Sequence, residues 1–312
     1  MLRLNSLSNQ NRIPWWKLLA AIMAVVGPCV GDAADAVPDK IVVLTFDDSV
    51  RSQFDVVRPL LKQYGFGATF FITEGFEFQK DKQNYMTWDQ IRQLHMDGFE
   101  IGNHTRDHVA LSAENYKEQL SSIAGRCLEH GIPAPVSYAY PGNTFTLEML
   151  PWLAEHGIRF ARRGGTPEFG YKTGNGVALE PGLDHPLLIP TAGDARPDWV
   201  FDDFLRAVMQ AELGRIAVLQ FHGVPDGAHN WVSTSADNFR AYMLYLKVNG
   251  FKVISLRELD QYMDKGMLPK DPQGVIEDRQ DMMAKGLLRS EARISQSRRE
   301  TSYWFNIMKR HG

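Results

Sequence analysis

This 312-residue chain has only two cysteines, no excess of positive charge and few long apolar runs. Lysine and arginine total 34 against 37 aspartates and glutamates, and the formal net charge of −3 provides no strongly basic domain for binding nucleic acid. The apolar run at residues 18–26 is far shorter than the roughly 20 residues that a membrane-spanning helix needs. Of the two cysteines, only Cys127 would remain if residues 1–36 were removed, and its helical context predicts a small buried hydrophobe rather than a nucleophile. A lone thiol forms no internal disulfide, so the fold must depend on its apolar core.

The first 36 residues have the features of an export signal. These features are the basic residues Arg3, Arg12 and Lys17, the apolar run 18–26, a break at Gly27-Pro28, and the A-x-A cleavage sequence Ala34-Asp35-Ala36. We therefore expect a signal peptide over residues 1–36 and export to the periplasm, cell envelope or extracellular space, with no stable membrane insertion after cleavage. An uncleaved interfacial anchor is the alternative, because Trp15-Trp16 suits a membrane interface. Lipid attachment at Cys29 fits less well, since Pro28 directly precedes it.

Beyond this leader, strand-like and helix-like segments alternate along the chain. Seven strands are predicted, at residues 41–44, 67–72, 99–103, 137–140, 158–161, 215–221 and 251–255. Helices are predicted between them, at residues 50–64, 88–96, 115–130, 146–156, 198–213 and 236–249. This alternation indicates an α/β fold with a parallel sheet, either a barrel or a doubly wound open sheet. We expect one domain over residues 37–264 and a charged C-terminal extension, helical or partly disordered, over residues 265–312.

Two adjacent carboxylates, Asp47 and Asp48, come directly after the first predicted strand. Neighbouring like charges are costly when they lose water, so their position suggests that a function uses them. His104 and His108, four residues apart after the third strand, can bring two imidazoles to one ion. Either pattern alone is common in turns, helix caps and surfaces, and the joint occurrence carries the inference. One carboxylate and two histidines leave coordination positions open, and the second carboxylate can act as a base, as in a metal-dependent hydrolase.

The sequence T-F-D-D, followed further along the chain by N-H-T-x-x-H, resembles the polysaccharide deacetylase family, also called the NodB-homology or family 4 carbohydrate esterases. The resemblance covers roughly residues 40–262. It implies that Asp47 is the catalytic base and that Asp48, His104 and His108 bind one divalent metal ion, commonly zinc. It also favours a distorted, incomplete (β/α) barrel of about seven strands over the doubly wound sheet.

Two positions depart from the family pattern. Ser49 stands where the family usually has glycine after the aspartate pair. Residues 138–143 resemble one version of the third motif, but Gly142 replaces an aromatic residue, and the arginine of the other version, which tethers the catalytic base, is missing. The resemblance implies that the backbone N–H at Gly142 helps to bind the oxyanion and that Tyr140 forms part of a substrate wall, although an ordinary Pro-Gly turn is the alternative.

The segment 219–223 matches the last motif of the family and implies that His222 is the general acid. An imidazole suits this role because its pKa is near neutral, although a histidine after a strand is on its own more often structural. The family orients this histidine with an aspartate, for which Asp194 and Asp198 are the candidates. Residues 224–231, with Asp226, His229 and Trp231, are expected to form a wall of the substrate cleft.

The resemblance implies removal of N-acetyl groups from amino sugars in a polysaccharide of the chitin, peptidoglycan or poly-N-acetylglucosamine type. The expected partner is therefore an N-acetylated glycan and not a nucleic acid. Three alternatives stay open: an O-acetyl esterase acting on a xylan-like glycan, an amidase acting on a small molecule, and a catalytically silent glycan-binding protein. The oligomeric state does not follow from the sequence.

Overall fold

The structure of the protein is a computed structural model that describes residues 36–264 and 268–285. The expected signal peptide, apart from Ala36, therefore lies outside the described residues, as does most of the C-terminal extension. Among the helices of these two ranges, none is both long and apolar enough to cross a membrane.

Nine strands in the described ranges form one sheet in which every strand pairing is parallel. The strands are β1 (Ile41–Phe46), β2 (Thr69–Ile72), β3 (Glu100–Asn103), β4 (Ser137–Ala139), β5 (Phe160–Gly164), β6 (Ile189–Pro190), β7 (Gly193–Asp194), β8 (Ala217–Phe221) and β9 (Lys252–Ile254). Their order is β6-β5-β4-β3-β2-β1-β8-β7, and β9 pairs with β1. The sheet ends at β6 and β7, two very short strands that were not predicted. Because these two strands are opposite ends of the strand order, the barrel is not closed, and the predicted distorted, incomplete (β/α) barrel is confirmed.

Seven α-helices of the described ranges connect or flank these strands. They are α1 (Arg58–Tyr64), α2 (Trp88–Met96), α3 (Tyr116–Glu129), α4 (Met149–Glu155), α5 (Phe201–Val208), α6 (Ala236–Val248) and α7 (Pro272–Ala284), with a π-helical turn over Gln53–Val57 before α1. The start of α2 is confirmed by a capping box, in which the Thr87 hydroxyl accepts from Gln90 N–H and the Gln90 side chain accepts from Thr87 N–H. The helix predicted at residues 198–213 is much shorter in the structure, where α5 covers only eight residues.

Side chains alternate between the two faces of each strand, and this alternation places the polar site. On β1, Ile41 and Val43 belong to the buried cluster inside the barrel, whereas Val42, Leu44 and Phe46 pack on the side of the helices. On β5 and β8, Phe160 and Val218 belong to the same interior cluster. Polar residues that continue these inward-facing positions therefore converge above the apolar interior, at the carboxyl ends of the strands.

Helix α7 belongs to the C-terminal extension and packs against the barrel. Ile276 is buried in the apolar cluster that contains residues of α3, β4 and α4. Arg279 is also buried and donates to both carboxylate oxygens of Asp184, at 2.5 and 2.9 Å. The described helical part of the extension is thus attached to the barrel by apolar contact and by a buried ion pair.

Candidate active site

The turn after β1, which follows Asp47, is strained at Asp48 and Ser49. Asp48 and Ser49 have φ values of 70° and 57°, in the left-handed region that side chains other than glycine seldom adopt. The Ser49 hydroxyl donates to the carbonyl of Thr73 at 2.8 Å and accepts from the N–H of Thr73 at 2.9 Å. Two hydrogen bonds to the end of β2 therefore offset the conformational cost of a serine where the family has glycine.

Asp48, His104 and His108 lie together, with one potential ligand atom from each residue within 4.8 Å of the others. Asp48 Oδ1 lies 3.4 Å from His104 Nε2 and 3.3 Å from His108 Nε2. His104 Nδ1 donates to the carbonyl of Ala139 at 2.8 Å, which leaves Nε2 of that ring available as a ligand. Asp48 Oδ1 is buried and has no hydrogen-bond partner among the described residues. An unpartnered carboxylate oxygen facing two imidazole nitrogens fits a divalent metal ion.

The electrostatics of Asp48 and His108 also suit metal binding, because ligands must be deprotonated, whereas the nearby carboxylates raise the pKa of His104 despite its burial. Burial alone would raise the pKa of Asp48, but the surrounding imidazoles lower it well below its ordinary value. Burial lowers the pKa of His108 to about 4, and the neighbouring His104 adds to this effect. At neutral pH, Asp48 is therefore an anion and His108 a neutral ring with a free lone pair.

Asp47 is tethered by an arginine that the sequence analysis did not assign to the site. Arg162, on β5, donates from Nη2 to Asp47 Oδ2 at 2.5 Å, and both side chains are almost fully buried. Gln220, on β8, donates to the same oxygen at 3.2 Å. The strand was predicted to end at Ala161, whereas β5 continues to Gly164. Asp47 therefore has a tether, although the third motif contains no arginine.

His222 follows β8 and lies beside both aspartates. Its Nε2 is 3.9 Å from Asp47 Oδ2 and 3.9 Å from Asp48 Oδ2. Gln53, in the π-helical turn, donates to the carbonyls of Asp47 and His222 and so joins the two chain segments that carry these residues. This buried amide was also not recognised from the sequence.

The two candidates for orienting His222 differ in their surroundings. Asp198 is exposed in a turn, whereas Asp194 is buried and accepts a hydrogen bond from Arg196. Within the described residues, Asp194 Oδ1 and His222 Nδ1 both lack a hydrogen-bond partner. Burial raises the pKa of Asp194 despite the nearby charge of Arg196. Of the two residues, only Asp194 has the buried position that the orienting role requires.

The turn after β4 has a conformation that explains Gly142. The φ of Gly142 is 60°, and a Cβ at this position would meet no atom closer than 3.8 Å. The backbone conformation, rather than a lack of space, therefore favours glycine. Asn143 N–H donates to the carbonyl of Tyr140 at 3.0 Å. Tyr140 is itself buried, and its hydroxyl donates to the carbonyl of Leu187 at 2.8 Å.

The two aspartates, the three histidines, Gln220, Tyr140 and Gly142 line one pocket, whereas Arg162, Gln53 and Asp194 do not. Its lining residues are Asp47, Asp48, Phe76, His104, His108, Tyr140, Gly142, Asn143, Tyr171, Gln220, His222, His229, Trp231 and Val232. Trp231 is 59% exposed and Phe76 is 47% exposed. The Phe76 ring lies 4.5 Å from each of the rings of His108 and His229, measured between centroids. Phe76 and Tyr171 were not predicted, because a single aromatic residue in a loop carries no distinguishing pattern.

Residues 34–161 match the family model described as polysaccharide deacetylase. The chain is 31% identical over 86 residues to YxkH of Bacillus subtilis, a protein assigned to the polysaccharide deacetylases, covering 28% of this chain and 30% of that relative. It is 33% identical over 108 residues to a peptidoglycan-N-acetylglucosamine deacetylase of Bacillus cereus, covering 34% of this chain and 47% of that relative. The matches thus span less than half the length of either relative.

One comparison with solved structures supports the fold. A crystal structure of a peptidoglycan N-acetylglucosamine deacetylase, in complex with an N-hydroxybenzamide compound, superposes with a TM-score of 0.51 and 17% sequence identity. The superposition covers 74% of this chain and 92% of that chain. The barrel is therefore shared, and the sequence match includes both the D-D pair and the H-x-x-x-H pair. Residues 34–161 are therefore similar to the polysaccharide deacetylase family, the NodB-homology family of carbohydrate esterases.

Proposed function

We propose that this chain is a metal-dependent hydrolase that removes N-acetyl groups from amino sugars within a glycan. The observation that carries the proposal is a single pocket lined by the ligand set Asp48, His104 and His108 together with Asp47 and His222. The name of the Bacillus cereus relative supports an N-acetylated glycan as the substrate class.

Asp48, His104 and His108 would hold one divalent ion, and two imidazoles beside one carboxylate favour zinc. When bound, such an ion polarises a carbonyl group and lowers the pKa of a coordinated water. The remaining chemistry belongs to the side chains of this chain.

Asp47 is the proposed proton acceptor, and its two oxygens have different environments. Oδ2 accepts hydrogen bonds from Arg162 and Gln220, whereas Oδ1 has no partner among the described residues. The guanidinium holds the carboxylate in one orientation, so Oδ1 is the atom that takes the proton from the attacking water.

His222 is the proposed proton donor to the departing nitrogen. Its Nε2 lies at similar distances from both aspartates, which suits a proton transfer after the attack. The backbone N–H of Gly142, at the pocket wall, is the proposed donor to the oxyanion. The exposed Trp231 ring at the rim is suited to packing against a sugar ring.

Acetate release by the purified, zinc-reconstituted chain tests this function. Chitin oligomers, peptidoglycan and poly-N-acetylglucosamine are offered beside acetylated xylan, each with and without a chelator. The proposal predicts chelator-sensitive acetate release from at least one of the N-acetylated glycans. Release from xylan alone would indicate an O-acetyl esterase, and glycan binding without any release would indicate a silent binding protein.

We also propose that the chain is exported by the signal at residues 1–36. Only Ala36 of this segment is described, so the support is the sequence pattern alone. Mass spectrometry of the exported protein is expected to find an N-terminus near Val37. An intact Met1 on exported protein would favour the interfacial anchor.

A further inference from the structure

The two oxygens of Asp48 face different groups. Oδ1 faces the imidazoles of His104 and His108, at 3.4 and 3.3 Å. Oδ2 lies on the other side of the carboxylate, 3.9 Å from His222 Nε2 and 3.8 Å from His229 Nδ1. The side-chain torsion that rotates a carboxylate has a broad distribution of allowed angles. The contacts of Oδ2 therefore influence the direction in which Oδ1 points.

His229 is held firmly beside Asp48. Its ring packs against the tilted ring of Phe76, and its Nε2 lies 3.2 Å from the Tyr85 hydroxyl. Its backbone N–H donates to Asp226 Oδ1 at 2.7 Å, and that carboxylate also accepts from the N–H groups of Gly223 and Ala228. The buried histidine is therefore fixed through its ring, its Nε2 and its backbone.

The Nδ1 atom of His229 faces Asp48. It is buried and has no hydrogen-bond partner among the described residues. It lies 3.6 Å from Asp226 Oδ2 and 3.8 Å from Asp48 Oδ2, so it separates two carboxylates. Those negative oxygens favour a proton on Nδ1, and the Tyr85 hydroxyl then donates to the lone pair of Nε2.

We infer that His229 is a positioning residue for Asp48, which restrains the outer oxygen of that carboxylate so that Oδ1 points to the metal position. The distance between His229 Nδ1 and Asp48 Oδ2 is longer than that of a hydrogen bond. The restraint acts through the attraction between the N–H dipole of the ring and the buried carboxylate anion. Groups of this kind, which orient a ligand without binding the ion, typically change metal affinity by 10–100-fold when removed. The inference rests on the metal site of the proposed function.

The test measures zinc affinity of the full chain by competition with a chelator, independently of activity. His229→Ala is expected to weaken zinc binding by about 10-fold or more. His229→Asn is expected to retain most of the affinity, because the amide nitrogen of asparagine can occupy the place of Nδ1. Asn230→Ala is the matched control, since Asn230 is the next residue, is exposed and does not line the pocket. This control is expected to bind zinc like the unaltered chain.

Thermal unfolding of each variant separates a positioning role from a folding defect. The inference is overturned if folded His229→Ala binds zinc as tightly as the unaltered chain. It is also overturned if the Asn variant is as weak as the Ala variant, because packing of the ring on Phe76 would then explain the loss. Failure of the unaltered chain to bind zinc would overturn the metal site itself. Zinc binding without acetate release would overturn the proposed reaction and leave the role of His229 intact.

Discussion

Arg162 and Asp47 form a buried ion pair in which Nη2 and Oδ2 are 2.5 Å apart. The two residues are 115 positions apart in sequence, on β5 and after β1. Arg162 Nε and Nη1 have no hydrogen-bond partners among the described residues, so Asp47 is the group that compensates the buried cation. The same contact leaves Asp47 Oδ1 free, which assigns different tasks to the two oxygens.

The first prediction compares two adjacent arginines. Arg162→Met removes the tether of Asp47, whereas Arg163→Met removes the partner of Glu168, which Arg163 contacts at 2.5 and 2.7 Å outside the pocket. Breaking either buried pair is expected to cost about 3–5 kcal/mol of unfolding free energy. Only Arg162→Met is expected to lower kcat per folded molecule, by about 100-fold, because the base is no longer oriented. Equal loss of kcat in both variants, after correction for the folded fraction, would contradict the role of Arg162.

The sequence was sufficient to find residues whose motif is local. Asp47 and Asp48 are adjacent, and His104 and His108 are four positions apart, so short spacing was enough to predict a shared ion. Arg162 was missed because two consecutive arginines resemble a solvated strand end, and the partner that compensates its burial, Asp47, is 115 positions away in the sequence. The available signal was alternation, since Phe160 faces the interior and Arg162, two residues later, faces the same way.

Other parts of the site depended on tertiary contacts that no local pattern encodes. Phe76 lies in a loop and becomes part of the pocket only because β2 and β8 both neighbour β1. The short strands β6 and β7 have two residues each, too few to show periodicity. The fold class was predictable because the alternation of strands and helices extends over the whole barrel.

The second prediction concerns Ser49, which adopts a φ of 57°. Ser49→Ala loses both hydrogen bonds to Thr73 and keeps the left-handed strain. Ser49→Gly loses the same bonds but relieves the strain, so it is expected to be more stable than the alanine variant by about 1 kcal/mol. Urea unfolding of the two variants measures this difference. An alanine variant at least as stable as the glycine variant would show that the turn relaxes in solution.

The third prediction concerns the attachment of α7. Arg279→Met leaves the carboxylate of Asp184 buried without its cation and is expected to cost about 3–5 kcal/mol of unfolding free energy. Adding Asp184→Asn removes the unpaired charge and is expected to restore part of that loss. Lys285→Met is the control, because Lys285 is exposed beside Asp281 at the end of the same helix and is expected to change stability by less than about 0.5 kcal/mol. Chemical denaturation that gave the same small effect for Arg279→Met would contradict a packed helix.

The fourth prediction separates the tasks of Asp47 and Asp48. Asp47 is held by Arg162 and Gln220, whereas Asp48 Oδ1 faces His104 and His108. Asp47→Asn is therefore expected to bind zinc with nearly unchanged affinity and to lose about 100-fold or more in kcat, the usual size of a general-base contribution. Asp48→Asn is expected to weaken zinc binding, and its activity should recover in part when zinc is in excess.

Zinc titration with acetate release in the same samples measures both quantities. His104→Ala serves as the reference for a lost ligand, and it is expected to lose metal and activity together. If excess zinc restores activity to Asp47→Asn and not to Asp48→Asn, the two roles are reversed. Of the carboxylate oxygens of Asp47 and Asp48, only Asp47 Oδ1 is assigned to proton transfer. A reversal of the two roles would therefore remove the base from the mechanism, and the hydrogen bond from Arg162 to Asp47 would have no catalytic role.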